Sequence, residues 1–181
     1  MAASLVWGMA EQGEGESVQA ATALALLALA EAGSGDPTAI CYWHAAQGFY
    51  NDFYQADLTA YGTAGALLEA SNSRMQPIEE IAHVGDRLPT GETVAPPERI
   101  TGPAVEYTHK ARSAGVTGVI ITELIIGEDG RISHPRVLKG LPLGLELRNL
   151  STLCKWRFKP ATSGGKPVKV YYNLVTNFAL K

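Results

Sequence analysis

The closing segment of the chain, Val168–Leu180, alternates regularly between two kinds of residue, and this alternation constrains the fold more than any other feature. Every second position from Val168 is mostly apolar, whereas the positions between them are mostly polar. A period of two is typical of an extended strand whose two faces meet different surroundings. The segment is therefore predicted to form a half-buried antiparallel strand.

Two further strands are predicted upstream of it. The run Val116–Ile126 is rich in Val, Ile and Thr and is apolar on both faces, which suits a central strand. The glycine-containing turn Gly127–Gly130 leads into a second strand, Arg131–Gly140. Pro135 cannot donate a hydrogen bond to a neighbouring strand, so this second strand is predicted to lie at an edge or to be bulged there.

A helix is predicted between the second strand and the closing strand. Its apolar positions recur at spacings of four, three and four residues, as expected of one helix face: Leu143, Leu147, Leu150 and Cys154. The order is then β-β-α-β, an α+β fold with an antiparallel three-stranded sheet and one packed helix. An oxidising compartment would permit a bridge from Cys154 to Cys41, but packing on this helix face explains Cys154 better.

The first seventy residues are predicted to be helical. Ala- and Leu-rich Ser17–Ala32 favours a helix, a second helix runs from Pro37 to about Phe49 after the cap Asp36, and a third spans Asp52–Ala70. The aromatic and small residues of this part resemble one helix-turn-helix unit of a tetratricopeptide-like repeat. We therefore expect a helical unit over 1–70, a proline-rich linker over 71–103 and a C-terminal domain over 104–181.

Charge is distributed unevenly between the two halves of the chain. Residues 1–73 contain eight acidic and no basic side chains, whereas residues 74–181 contain ten acidic and all fifteen basic side chains. The split supports two separate units. The basic side chains are scattered rather than clustered, so nucleic acid is not a predicted partner.

Catalytic, metal and membrane motifs are not predicted from the sequence. The sequence contains no nucleophile elbow, P-loop, dinucleotide fingerprint or zinc-protease motif, so we expect neither an enzyme nor a cofactor. Cys41 and His44 are a helical turn apart, but a metal site needs two further ligands. The apolar stretch Val18–Ala30 is shorter than a membrane span, and the first residues lack the positive charge of a signal peptide.

Short motifs in the C-terminal half resemble those of a known family. They are GVTG before the first strand, GEDGRI, VLKGLP, WRFKPA, GKPV and the closing NFAL. In this order and spacing, over about Pro96–Leu180, they are similar to the C-terminal domain of TonB-type energy transducers. The resemblance implies a small periplasmic α+β domain that pairs a strand with the N-terminal peptide of outer-membrane transporters, and it implies an inner-membrane motor complex as a further partner.

The same resemblance leads to an expectation about the rest of the protein. Family members usually begin with an inner-membrane helix and a long proline-rich linker, and neither is predicted in this sequence. The chain is therefore expected to be either a piece of a longer protein or a soluble relative on the periplasmic side of the cell envelope.

The candidate site is the edge of the closing strand, whose unpaired backbone groups would template an incoming peptide. Its outward side chains are predicted to flank the peptide: Lys169, Tyr171, Asn173 and Val175. Tyr107 is a further candidate, since the family has a Tyr-Pro pair here, although Thr108 replaces the proline. The alternative for Tyr107 is that it packs its ring beside the sheet. The alternatives for the strand edge are that it pairs with a second copy of the chain, or that the N-terminal helices or the linker cover it.

Two functions from different classes follow. The first is a non-catalytic TonB-like protein that binds transporter peptides by strand addition and supports energy-coupled transmembrane transport. The second is a soluble scaffold or adaptor of an envelope assembly for motility or secretion, which binds other proteins through its helical unit.

Overall fold

The computed structural model describes residues 16–49, 53, 55–72, 81–89 and 91–180. The chain divides into two compact units, Met1–Met75 and Gln76–Lys181, the first helical and the second built around a β-sheet.

The helical unit begins with α1 (Glu16–Ser34) and α2 (Thr38–Phe49), which are joined by a three-residue connection. Gly35 ends α1 at a φ of 77°, and the N–H of Asp36 donates to the Glu31 carbonyl at 2.9 Å, as in a Schellman motif. The Asp36 carboxylate then accepts from the Thr38 N–H at 2.8 Å and caps α2, as predicted. A connection this short makes the pair a helical hairpin.

The third helix starts later than the sequence suggested. A 3-10 turn, Thr59–Tyr61, directly precedes α3 (Gly62–Asn72), whereas the predicted start at Asp52 lies outside the described residues. Gly62 has a φ of 56°, which favours glycine, and therefore marks the beginning of the helix rather than a bend within it. The tetratricopeptide-like character of this unit stays a prediction.

The α1 helix is longer than the apolar stretch recognised in the sequence. Its 18-residue window Ser17–Ser34 has a mean hydropathy of 1.2, so by length and composition alone it is able to cross a membrane. The prediction was based on the shorter stretch Val18–Ala30, whereas the whole helix passes the test of length and composition. The core helix of a soluble protein and a signal sequence have the same properties, and 44% of this window is buried in the structure.

The sheet unit contains the elements of the predicted domain together with additional short strands. In chain order they are β1 (Ala82–His83), β2 (Glu98–Thr101), α4 (His109–Ser113), β3 (Gly118–Ile126), β4 (Ile132–Lys139), α5 (Leu145–Leu153), β5 (Arg157–Lys159), β6 (Ala161–Ser163), β7 (Lys166–Val168) and β8 (Val170–Phe178).

The main sheet has the strand order β1-β8-β3-β4, and β3 lies in its centre as predicted. The β3 strand pairs antiparallel with both β4 and β8. The predicted three-stranded sheet is incomplete, because β1 adds a fourth strand parallel to β8 and two further pairs, β2–β5 and β6–β7, lie outside the sheet. Strands of two to four residues are too short to show a period in the sequence.

The proline-rich segment 71–103, expected to be an extended spacer, contributes two of these strands where the structure describes it. β2 pairs with β5, and Gly102 lies so close to the Trp156 ring that a β-carbon at this position would overlap it. The Trp156 indole N–H donates to the Pro103 carbonyl at 2.8 Å, and the Arg99 guanidinium lies 4.3 Å from its ring centroid. The prolines of this segment lie outside both strands, so they leave the backbone N–H groups of the strands available for pairing.

The helices α4 and α5 pack on one face of the sheet, where Ala111, Ile120, Leu145 and Phe178 form a buried cluster. The buried face of α5 differs from the predicted one, because Leu143 has a φ of 61° and lies before the helix. Its buried residues are Leu145, Asn149, Leu150, Thr152 and Leu153. Cys154 is buried after α5 and is disulfide-bonded, so the prediction that packing explains it better than a bridge is wrong.

Candidate peptide-docking edge

The closing strand β8 has one side fully paired and the other side largely open. Its pairing with β3 is continuous, from Gly118 opposite Phe178 to Ile126 opposite Val170. On the other side β1 pairs only with Val170 and Tyr171. Over the remaining seven of its nine residues, Tyr172–Phe178, no strand pairs with this side anywhere in the described part of the chain.

The two faces of β8 match the predicted alternation. Val170, Leu174 and Phe178 are buried on the face that meets the helices. Asn173 and Asn177 are exposed on the other face, and between them Val175 is 60% exposed. The exposed face along the open edge is therefore uncharged and partly apolar.

The opposite edge of the sheet, formed by β4, is poorly suited to strand pairing. Pro135 lies within β4, and the register with β3 shifts between Glu123 and Ile125, so the strand is bulged as predicted. His134 next to the proline has a φ of 48°. Proline, a bulge and charged residues such as Arg136 are features by which proteins protect edge strands from association. The β8 edge between Tyr172 and Phe178 contains neither a proline nor a charged residue.

A buried polar network holds β8 in place against β3 and α5. The Asn149 side-chain amide donates to the Thr122 hydroxyl at 3.0 Å, and its carbonyl oxygen accepts from the Thr176 hydroxyl at 2.8 Å. Asn149 and Thr122 are completely buried. Each of the three side chains comes from a different element, so the network ties α5, β3 and β8 together and keeps the docking strand rigid.

Two of the predicted site residues, Lys169 and Tyr171, lie at the beginning of β8. The Tyr171 ring stacks on the His83 ring of β1, with centroids 5.3 Å apart and planes at 25°. Burial and, second, the positive charge of Lys169 lower the pKa of His134 in β4. Both side chains are half-buried, so this end of the strand is more enclosed than the part around Val175.

Tyr107 lies at the other end of the same strand. Its ring meets that of Phe178 edge-on at 5.2 Å, and its hydroxyl donates to the Val116 carbonyl at 2.9 Å. The Arg112 guanidinium lies 5.2 Å from the ring centroid. These contacts correspond to the alternative in which Tyr107 packs its ring beside the sheet, and the hydroxyl already has a partner within the domain.

The structure thus places Tyr171, Asn173 and Val175 on one face of β8, with Lys169 directly before the strand and Tyr107 near its end. Two neighbours were missed. Asn177 shares the outward face, and the same alternation was sufficient to find it. His83 lies in a segment that was assigned to the linker, and a two-residue strand leaves no pattern in the sequence.

Comparisons with known proteins cover this part of the chain. The family described as Gram-negative bacterial TonB protein C-terminal matches residues 103–180. Protein TonB of Pseudomonas aeruginosa is 36% identical over 63 residues, which are 34% of this chain and 18% of that protein. The chain therefore spans less than a fifth of the length of this relative.

The solved structures that are similar to this chain include the solution NMR structure of the Pseudomonas aeruginosa TonB CTD. It has 28% sequence identity and a TM-score of 0.40, and the match covers 47% of this chain and 87% of that one. The family consists of non-catalytic energy transducers, which fits the prediction that the chain is not an enzyme. Residues 103–180 of this chain are thus similar to TonB C-terminal domains.

Proposed function

We propose that this protein is a TonB-like component of the cell envelope that binds the N-terminal peptide of an outer-membrane transporter by adding it as a strand to β8. It acts on the periplasmic side and supports energy-coupled transmembrane transport, with an inner-membrane motor complex as the source of energy. The family match over residues 103–180 supports the energy-transducer role, since it identifies the domain type.

The observation that carries the peptide-binding proposal is the open edge of β8 between Tyr172 and Phe178. An extended peptide that pairs there gains main-chain hydrogen bonds, while its alternate side chains lie beside Asn173, Val175 and Asn177. The uncharged character of this edge favours an uncharged, β-branched segment over an acidic or basic one. The rigid support from Asn149 lowers the cost of ordering the site, because β8 is already held in place before the peptide arrives.

A peptide-binding experiment with the full chain tests this proposal. Overlapping synthetic peptides from the N-terminal segments of outer-membrane transporters are titrated by calorimetry, and hydrogen exchange then reports which β8 amides become protected. Val175→Lys is expected to lower the affinity by about tenfold, because a peptide beside the new lysine would take its charge out of water. Val175 is 60% exposed, so the substitution leaves the fold intact.

Ile100→Lys is the matched control, since Ile100 is 64% exposed on β2, which pairs with β5 and not with β8. It is expected to leave the affinity unchanged. If no transporter peptide protects the amides between Tyr172 and Phe178, the strand-addition proposal is wrong. If these amides instead become protected as the protein concentration rises without any peptide, sedimentation should show a dimer. The β8 edge would then pair with a second copy of the chain.

A second candidate function is supported by α1 of the helical unit. Leu26 and Leu27 are each 39% exposed, and together with Ala23 and Ala30 they form an uncharged stripe at helical spacing. Such a stripe is typical of a helix-binding surface and favours an adaptor role for this unit. A photo-reactive residue placed at Leu26 or at Val175 distinguishes the two candidates in cells. Crosslinks to a transporter from position 175 and none from position 26 support the transducer. Crosslinks to another envelope protein from position 26 and none from position 175 support the adaptor.

A further inference from the structure

The first two residues of β8 already have a strand partner on the edge that the peptide would use. Ala82 pairs with Val170 and His83 with Tyr171, both in parallel orientation. The stacked His83 and Tyr171 rings add a side-chain contact to this pairing. The β1 segment precedes residues 103–180, so it is not part of the stretch that matches the family.

A tight turn ends β1 directly after His83. The backbone N–H of His83 donates to the Asp86 carboxylate at 2.6 Å, and the N–H of Asp86 returns a bond to the His83 carbonyl at 3.0 Å. Gly85 between them has a φ of 88°, a conformation that other residues rarely adopt. The chain therefore turns away before it reaches the position opposite Tyr172.

The segment that follows fixes this turn to the rest of the domain. Gly85 and Asp86 exchange backbone hydrogen bonds with Val94, at 3.0 and 2.9 Å, and Val94 is 1% exposed. The next residue, Ala95, is bridged to Thr162 of β6. Because these contacts directly follow β1, the C-terminal end of this strand is anchored to the sheet unit.

We propose that β1, together with the turn at Asp86, is a stop that sets the register and the maximum length of the strand added to β8. The inference rests on the strand-addition function proposed above. An incoming strand pairs with at most seven residues, Tyr172–Phe178, or about 23 Å of extended chain. A longer strand would run into the turn that follows His83, so its extra residues gain no backbone partner.

The test uses a transporter peptide that protects β8 in the experiment above. It is shortened and lengthened in steps of two residues at either end, so that the series extends from below to above the seven-residue open edge. With the native chain the affinity is expected to rise with length and then to level off once the open edge is filled. Hydrogen exchange of the Ala82 and His83 amides should be the same with and without peptide.

The variant His83→Ala/Asp86→Ala removes the ring stack and the carboxylate that closes the turn. With β1 released, peptides extended at one end are expected to bind about tenfold more tightly, because two further residues of β8 become available for main-chain hydrogen bonds. His109→Ala, at an exposed position of α4, is the matched control and should keep the plateau of the native chain.

The outcomes separate this inference from the function on which it rests. A plateau in the native chain that disappears only in the double variant supports the stop. If longer peptides gain the same affinity with the native chain, or if they expose the β1 amides to exchange, the stop is wrong while strand addition stands. If no peptide of any length protects β8 in any variant, both proposals are wrong.

Discussion

Gly130, at the end of the turn between β3 and β4, allows a sharp test of how tightly this turn contacts the rest of the sheet unit. It has a φ of 74°, and its carbonyl accepts from the Phe158 N–H of β5 at 2.9 Å. A β-carbon added here would overlap the backbone carbonyl of Phe158. Gly130→Ala therefore has two costs, about 1–2 kcal/mol for the left-handed backbone and about 1–3 kcal/mol for the displacement of β5.

Gly165 is the matched control for this substitution. It has nearly the same backbone conformation, with a φ of 78°, but no atom lies within 4 Å of the position that a β-carbon would take. Gly165→Ala is therefore expected to cost only the first term, about 1–2 kcal/mol. The difference between the two variants isolates the close approach of the turn to β5.

Native-state hydrogen exchange of the β3 amides is the appropriate measurement, because it reports the opening of the sheet unit separately from the helical unit. Gly130→Ala should lower the free energy of opening by about 2–5 kcal/mol in total. Equal losses in Gly130→Ala and Gly165→Ala would refute the argument, since they would show that the contact with Phe158 contributes nothing.

Two further predictions concern buried polar groups. Asn149→Ala leaves the Thr122 and Thr176 hydroxyls without their partner, so the free energy of unfolding from urea titration should fall by about 2–4 kcal/mol. The control Asn177→Ala, at an exposed position, should change it by less than about 0.5 kcal/mol. Similar losses in both variants would show that the Asn149 hydrogen bonds do not stabilise the domain. Burial, aided by nearby acidic groups, raises the pKa of Tyr42 to about 12. The folded state therefore keeps this proton between pH 10 and about 12, where the unfolded state loses it. Stability of the helical unit should fall over this range in alkaline titrations followed by circular dichroism, and Tyr42→Phe should remove that part of the loss; an unchanged titration curve would contradict the assignment.

The parts of the fold that were predicted correctly are those governed by neighbours in the chain. Alternation along β8 separated its buried face from its exposed face. Pro135 marked β4 as an edge strand with a bulge, since a proline cannot complete the pairing pattern anywhere else. Asp36 and the proline after it marked the start of α2. Each of these signals acts through local backbone chemistry.

The parts that were missed depend on contacts between distant segments. The predicted stripe of α5 was displaced, because the Thr108 hydroxyl donates to the Leu143 carbonyl at 2.8 Å and Leu143 has a left-handed backbone conformation. The helix consequently begins at Leu145; Leu150 and Cys154 of the predicted stripe are buried, but so are Leu145, Asn149, Thr152 and Leu153, which the stripe did not include. Likewise, β1 and β2 form only because β8 and β5 present unpaired edges to them.

The candidate site combines both kinds of information. The sequence by itself determined that Asn173 and Val175 project from one face of a strand, because side chains on a strand alternate whatever the strand pairs with. Only the tertiary structure decided that this strand lies at an open edge and that β1 closes the edge at Tyr171. A strand can accept a partner on each side, and which side stays open depends on segments far away in the chain.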